Sequence, residues 1–187
     1  MAAAVGQQLA AFLEDVPGTD RPRDYEHLKR QQLIIELAGR GGWLAIPELA
    51  IDPAWTHSRS VDVLLERPST REAIVVEVWD FFDDVGAAVR GLDGKVGALS
   101  QRHATAEAAA GTPESTWHVR GCFVVRGTRR NRTLIDEFGA IFRTRFPGSG
   151  DVWLAALVEP ERPLPPHDGL LWTDVAGTRL IPARLRR

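Results

Sequence analysis

The chain has 187 residues, of which 44% are hydrophobic, and its 25 acidic and 23 basic residues give a net charge of −2 at pH 7. This length suits one domain with a substantial core, and a charge so close to zero excludes a strong overall field that would attract nucleic acid. The single cysteine, Cys122, excludes a disulfide framework and favours a reducing cytoplasm. No apolar run approaches membrane-spanning length, and no signal-peptide pattern is present, so no membrane partner is expected.

Residues 1–22 are predicted to form an N-terminal segment, in which a short amphipathic helix is followed by a linker that contains proline and glycine. The domain proper is expected to span residues 23–187. Its first helix is predicted over residues 24–38, because Asp24 can cap the start and glycines follow the end. A first strand is predicted over residues 43–51.

Residues 58–80 predict a hairpin of two apolar strands, each interrupted by a single acidic residue. Asp62 lies in the first strand and Glu77 in the second, and the Pro-Ser-Thr-Arg segment between them is typical of a turn. With the turn centred on Ser69 and Thr70, the antiparallel register sets Asp62 opposite Glu77. Directly opposed residues share a face of the sheet, with Cβ atoms about 4.5–5.5 Å apart, so the two carboxylates are expected to lie close together.

Two carboxylates this close in an apolar hairpin repel each other and carry a desolvation cost. A divalent cation relieves both problems, since Mg²⁺ is commonly held by one or two carboxylates together with waters and phosphate oxygens. The alternatives are a salt bridge from one acid to an arginine, or a position of one acid at the rim of the sheet. His57 and Arg59 precede Asp62 in a predicted loop, where they either border this cleft or are solvated.

A helix is predicted after the hairpin, capped by Asp83 or Asp84, with apolar residues from Val85 to Leu99 spaced alternately four and three apart. Its glycines weaken it, each by about 1 kcal/mol relative to alanine, and close packing of the helix on the sheet is one reason to tolerate them. Lys95 lies on the flank of the apolar stripe.

Residues 117–126 predict a buried central strand. Cys122 in this strand is interpreted as a small core residue, because no histidine or aspartate pattern supports a catalytic thiol. A strongly basic loop is predicted over residues 127–132. Its arginines either are solvated or make phosphate contacts, which fix position without selecting a sequence; they are Arg129, Arg130 and Arg132.

The last part of the chain predicts one more helix, over residues 133–146, and an interior strand over residues 152–158, which is almost continuously apolar. An edge hairpin is predicted over residues 170–174 and 178–181. The resulting order of helix, three strands, helix, strand, helix and strand favours an α/β sandwich.

Three short segments in this order resemble the core of the PD-(D/E)XK nuclease superfamily, which has the restriction-endonuclease-like fold. They are Ser60-Val-Asp-Val-Leu, Ile74-Val-Val-Glu-Val and Gly91-Leu-Asp-Gly-Lys-Val. They are also similar to a domain of actinobacterial proteins that often follows a helix-turn-helix. The resemblance covers roughly residues 23–158, and it implies an αβββαβ sandwich with a mixed central sheet flanked by helices.

The resemblance also implies a metal site and an activity. Asp62 and Glu77 would be catalytic residues that hold Mg²⁺ or Mn²⁺, and the backbone carbonyl of Val78 would be a further ligand. Members often add an acid from the first helix, for which Glu36 is the candidate; its alternative is a solvent-facing position on an amphipathic helix. The implied activity is metal-dependent hydrolysis of phosphodiester bonds in DNA, or in RNA.

One departure from the family pattern affects catalysis. The family has a lysine two residues after the glutamate, and here that position is Trp79, whose indole carries no charge and cannot take up a proton. Lys95 from the following helix is the candidate replacement, and its alternative is a lysine on the helix surface. Trp79 itself could stack on an unpaired base.

Three hypotheses therefore remain open. The first is a nuclease that uses Glu36, Asp62, Glu77 and Lys95. The second is a catalytically silent member that binds nucleic acid or a regulatory protein, and the third is a plain α/β fold in which both acids are structural. For the first two, DNA is favoured over RNA as the partner and a homodimer is left open; the expected nucleic-acid contacts are Trp79, Arg59, Arg129, Arg130 and Arg132.

Overall fold

Eleven helices and strands make up the part of the chain that the computed structural model describes, residues 25–50, 60–111 and 116–185. The predicted N-terminal segment 1–22 and the residues His57 and Arg59 lie outside these ranges. The elements are α1 (Tyr25–Arg40), β1 (Leu44–Ala50), β2 (Ser60–Arg67), β3 (Glu72–Trp79), α2 (Val85–Ala109), β4 (His118–Arg126), α3 (Arg129–Glu137), α4 (Gly139–Arg145), α5 (Gly150–Val158), β5 (Gly169–Thr173) and β6 (Leu180–Pro182).

The strands form one six-stranded mixed sheet in the order β1-β2-β3-β4-β5-β6. The first three strands are antiparallel, β3, β4 and β5 are parallel, and β6 is antiparallel to β5. Parallel neighbours need a crossover connection, which α2 supplies between β3 and β4. The predicted α/β class and mixed central sheet are thus confirmed for the described residues. None of the helices in these ranges is long and apolar enough to cross a membrane.

The hairpin of β2 and β3 has the register that its turn composition predicts. Val63 pairs with Val76 and Arg67 pairs with Glu72, and the ladder ends at Val63, one residue before the predicted pair of Asp62 and Glu77. The two acids therefore lie at the same end of the hairpin, at the start of β2 and near the end of β3.

Helices cover both faces of the sheet because successive strand residues point to opposite sides. On one face, Leu64, Val75 and Phe123 pack with residues of α2, α3 and α4. On the other face, Ile74 and Val124 pack with residues of α1 and α5. The site described below lies where α1 and α2 approach the same hairpin from these two sides.

Cys122 is a buried free cysteine in the second of these cores, as predicted. Burial raises the pKa of its thiol, so the neutral and weakly nucleophilic form is favoured.

The predicted helix after the hairpin is confirmed as α2, with Asp84 accepting a hydrogen bond from the backbone N–H of Ala87 at 2.8 Å. The proposed reason for its glycines is wrong: a Cβ at Gly91, Gly94 or Gly97 would meet no other atom within 4 Å. Helix α2 and the sheet do pack closely, but at a glycine of the sheet. A Cβ at Gly121 of β4 would lie 2.7 Å from the side chain of Leu92.

Three predictions after β4 are wrong. The segment predicted as a strand over 152–158 is helix α5, because an apolar run of this length does not distinguish a strand from a buried helix. The basic segment is not a loop throughout: Thr128 caps α3, which begins at Arg129. The helix predicted over 133–146 is divided at Phe138 into α3 and α4.

Candidate functional site

Asp62 lies at the start of β2 and is held from two directions. Its Oδ2 accepts a hydrogen bond of 2.6 Å from the backbone N–H of Val78 in β3. The same oxygen lies 3.7 Å from Nε2 of His27 in α1. Asp62 retains partial solvent exposure, with 19% of its side chain accessible, so a small ligand can reach the carboxylate.

Glu77 is buried in β3 and forms an ion pair with Lys95. The helix of Lys95, α2, packs on the face of the sheet opposite to α1. Oε2 of Glu77 accepts a hydrogen bond of 2.5 Å from Nζ of Lys95, while Oε1 is buried without a hydrogen bond of normal geometry. Burial raises the pKa of Glu77 to about 7; the nearby charge of Asp62 adds to the rise, and Lys95 opposes it. Near neutral pH this carboxyl group therefore holds a proton more readily than an ordinary glutamate does.

The structure thus brings Asp62, Glu77, the backbone of Val78 and Lys95 to one end of the hairpin. The charges of the two acids are close enough for Asp62 to raise the pKa of Glu77. Their polar partners, however, come from different sides of the sheet, His27 from α1 and Lys95 from α2. The common pocket predicted from the register is therefore not formed by these contacts: α1 lies beside Asp62 and α2 lies beside Glu77, on opposite faces of the sheet.

Lys95 is not a solvated lysine on the helix surface. Only 11% of its side chain is accessible, and its ammonium is directed at Glu77. The ammonium group therefore lies beside the carboxylate that stands two residues before Trp79.

Glu36 does not join this site, contrary to the expectation for α1. It is exposed and accepts a hydrogen bond of 2.9 Å from Gln32, because Ile34 and Ala38 turn the other side of the helix into the core. The helix presents His27 and Gln31 to Asp62 instead. The hydrogen bond to Asp62 raises the pKa of His27, and desolvation by burial opposes that rise.

Glu48 of β1 is the third residue that sequence reasoning missed. Its Oε1 accepts a hydrogen bond of 2.5 Å from Gln31, and its Oε2 lies 3.3 Å from the hydroxyl of Ser60. His27, Glu48 and Asp62 offer ligand atoms that all lie within 4.8 Å of one another. The only sequence signal for this group is the four-residue spacing of His27 and Gln31, which places both on one side of a helix.

Trp79 shares the face of Glu77, as predicted, but its ring belongs to an aromatic cluster. The indole stacks on Phe82 with centroids 4.9 Å apart and meets Phe123 edge-on at 6.1 Å. Phe82 therefore covers one face of the ring, and stacking of a base would have to use the half-buried remainder. That role stays a prediction.

The predicted arginine group lies at the start of α3, beyond the end of β3 that carries Glu77. Arg129, Arg130 and Arg132 are all exposed. The guanidinium of Arg130 lies 5.5 Å from the ring centroid of Phe81, and that of Arg132 lies 4.7 Å from that of Trp172. The three arginine side chains are open to solvent at this end of the sheet.

The fold and this site define an α/β protein with a six-stranded mixed sheet between helices, which carries acids, a histidine and a lysine at one end of its first hairpin. Comparison of the chain with protein-family models, with curated proteins and with solved structures finds no match. The function is therefore argued from the chemistry of the site.

Proposed function

We propose that this protein is a metal-dependent nuclease with the restriction-endonuclease-like fold. It hydrolyses phosphodiester bonds of DNA in an active site that contains Asp62. The observation that carries the proposal is the contact of 2.5 Å between Lys95 and Glu77, at the level of the hairpin where Asp62 lies. An acid, a second acid and an amine are the groups that the resemblance requires, and the amine reaches the site from α2. The order α1, β1, β2, β3, α2, β4 supports the same superfamily.

The residues present fit a divalent cation. Asp62 is a partly accessible carboxylate, which accepts a hydrogen bond from the N–H of Val78, and Oε1 of Glu77 is a buried oxygen without a normal hydrogen bond. Oxygen ligands of this kind suit Mg²⁺ and Mn²⁺. A bound cation would lower the pKa of a coordinated water and offset the negative charge of the phosphate.

The protein's own groups have distinct roles in this proposal. Asp62 and Glu77 hold the cation, together with the carbonyl of Val78. Lys95 supplies the positive charge that orients the attacking water and the phosphate, in place of the lysine replaced by Trp79. The arginines at the start of α3 contact the DNA backbone, since phosphate contacts fix the position of the substrate.

The test is cleavage of single-stranded, duplex and branched DNA, and of RNA, by the full chain with Mg²⁺ or Mn²⁺. We expect metal-dependent cleavage that Asp62→Ala abolishes and that Lys95→Ala lowers by about a hundredfold, in the range of a positioned acid–base group. Lys29 is the chain's other lysine, so Lys29→Ala is a matched control that should leave the rate unchanged. Absence of cleavage of every substrate with both metals would refute the proposal.

A catalytically silent nuclease fold is the second candidate, and Trp79 at the lysine position favours it. In that case the protein binds DNA without cutting it, and fluorescence anisotropy detects binding that weakens when Arg129 and Arg130 are replaced. Gain of cleavage in Trp79→Lys would support this candidate, provided that circular dichroism shows the variant to be folded after loss of the contacts with Phe82 and Phe123.

A further inference from the structure

Two oxygens and an imidazole nitrogen converge on one amide nitrogen between α1 and the sheet. Nε2 of Gln31 lies 2.5 Å from Oε1 of Glu48, 3.2 Å from Nε2 of His27 and 3.3 Å from the backbone oxygen of Asp62. An amide nitrogen has only two hydrogens. The two oxygens can accept both, so the imidazole nitrogen, which also faces Oδ2 of Asp62, lies beside this amide without a hydrogen to accept from it. Gln31 is itself only 3% exposed, so bulk water does not supply a further hydrogen bond to this group.

Two of the side chains around this nitrogen, His27 and Asp62, have the spacing of metal ligands, and Glu48 offers a third ligand atom within 4.8 Å of both. His27 Nε2 and Asp62 Oδ2 lie 3.7 Å apart, and two ligands of a tetrahedral ion bound at ~2.1 Å are about 3.4 Å apart. Rotation of the Gln31 amide by half a turn would exchange its nitrogen for its oxygen. The amide would then add a fourth ligand instead of a competing donor.

Glu48 has a backbone conformation that is costly for a residue other than glycine. Its φ is +51°, a left-handed conformation that non-glycine residues adopt at a cost of about 1–3 kcal/mol. On either side of it, Pro47 pairs with Val63 and Leu49 pairs with Val61, so Glu48 is level with Asp62 in the ladder but forms no pair there.

We infer that His27, Glu48 and Asp62 form a divalent transition-metal site on the α1 side of the hairpin, with Gln31 as its fourth ligand. An imidazole nitrogen combined with carboxylates suits Mn²⁺ or Zn²⁺, whereas Mg²⁺ prefers oxygen ligands alone. This ligand set shares only Asp62 with the set of the proposed nuclease. Binding of the metal here does not depend on hydrolysis.

The experiment is calorimetric titration of the full chain with Mn²⁺, Zn²⁺ and Mg²⁺, each alone. We expect one Mn²⁺ or Zn²⁺ per chain with an affinity above that for Mg²⁺, and a loss of at least about tenfold in His27→Ala and in Glu48→Gln. His103 and Glu66 form a comparable pair at 3.2 Å elsewhere. His103→Ala and Glu66→Gln are therefore matched controls that should bind as the wild type does.

A second measurement does not depend on how the variants fold. Mn²⁺ is paramagnetic and broadens the NMR signals of nearby nuclei, so sub-stoichiometric Mn²⁺ should broaden the imidazole signals of His27 in the wild-type protein before those of His103. Equal broadening of both, or wild-type metal affinity in His27→Ala, would show that the histidine only forms an ion pair with Asp62 and would overturn the inference.

The two proposals fail separately. Loss of metal affinity in Glu77→Gln with none in His27→Ala would place the cation in the nuclease set and refute this site. Tight Mn²⁺ binding that requires His27 and Glu48, in a protein that cleaves no nucleic acid, would refute the nuclease and leave this site standing.

Discussion

The ammonium of Lys95 and the carboxylate of Glu77 are separated by eighteen residues and by the change from strand β3 to helix α2, yet they lie 2.5 Å apart. The pair is largely buried, with 11% and 8% of the two side chains accessible. Removing charged groups from water is costly unless they are paired. The contact therefore binds α2 to the hairpin while keeping a carboxyl group in an environment that raises its pKa.

The raised pKa of Glu77 predicts a specific dependence of stability on pH. The folded state retains a proton up to about pH 7, whereas the unfolded state releases it near the ordinary glutamate pKa of 4.5. The folded state binds more protons in this window, so the contribution is fully present below pH 4.5 and is lost as the pH rises through about 7. At ~1.4 kcal/mol for each pKa unit, the loss is at most on the order of 3 kcal/mol.

Urea unfolding of the wild type and of Glu77→Gln across this window measures the effect. The pKa values of His27 and His103 are also shifted, but both titrate in both proteins and cancel in the difference. We expect the difference in free energy of unfolding to change steadily between the two pKa values of Glu77. A constant difference would mean that the folded carboxyl group titrates normally.

Removal of the lysine charge should destabilise the fold and raise the pKa of Glu77 further, because Lys95 lowers it. Lys95→Met keeps most of the aliphatic volume and leaves the buried carboxyl group without its partner, at a cost of about 1–3 kcal/mol. Unfolding in urea measures the loss, with Lys29→Met as the control for replacing a lysine. In the Glu77→Gln background the effect of Lys95→Met should shrink, and an undiminished effect would show that the two residues are not coupled.

The hairpin register could be predicted because it depends on local signals. The turn residues fix which positions face each other, and a slip by one would move every apolar side chain of β2 to the other face. The same kind of local signal located α2, through its cap at Asp84. Helix α5 could not be predicted in this way, because a short apolar run fits a buried helix and a buried strand equally well.

The ligands from α1 and β1 could not be predicted, for a different reason. Which side of α1 faces Asp62 is decided by the packing of Ile34 and Ala38 against the sheet, so the sequence predicts Glu36 and does not indicate His27. The position of Glu48 depends on a single left-handed residue within a strand, and nothing in its neighbours requires that conformation.

Arg30 is predicted to be among the most sensitive residues of α1. Its side chain has no accessible surface and forms ion pairs with Glu26 at 3.2 Å and with Asp80 at 2.8 Å. Its guanidinium also donates to Thr173 and to the backbone oxygen of Val175. The residue thus connects α1 to the ends of β3 and β5.

Arg30→Met should lower the free energy of unfolding by about 1–3 kcal/mol, because it leaves the half-buried acids and the carbonyl and hydroxyl groups that it contacts without their donor. Arg40→Met, at the exposed end of the same helix, should change it by less than about 0.5 kcal/mol. Thermal and urea unfolding compare the two variants. Similar effects at both positions would show that the buried network does not fix the helix to the sheet.

The contact between Gly121 and Leu92 predicts opposite effects for two glycine substitutions. In Gly121→Ala the new Cβ would lie 2.7 Å from the Leu92 side chain, so α2 must shift or Leu92 must change rotamer, at a cost of about 1–3 kcal/mol. Gly97→Ala, in an open position on α2, should stabilise the protein by about 0.5–1 kcal/mol through helix propensity. Urea unfolding measures both changes in free energy.

The site supplies a second measurement for the same pair of variants. Leu92 lies one turn before Lys95, so a shift of α2 in Gly121→Ala should also lengthen the contact between Lys95 and Glu77. We expect the pKa of Glu77, followed by NMR, to rise in Gly121→Ala, because the opposing charge moves away, and to stay unchanged in Gly97→Ala. A destabilised Gly121→Ala with an unchanged pKa would mean that Leu92 absorbs the added methyl group alone and that the position of α2 is fixed by its other contacts.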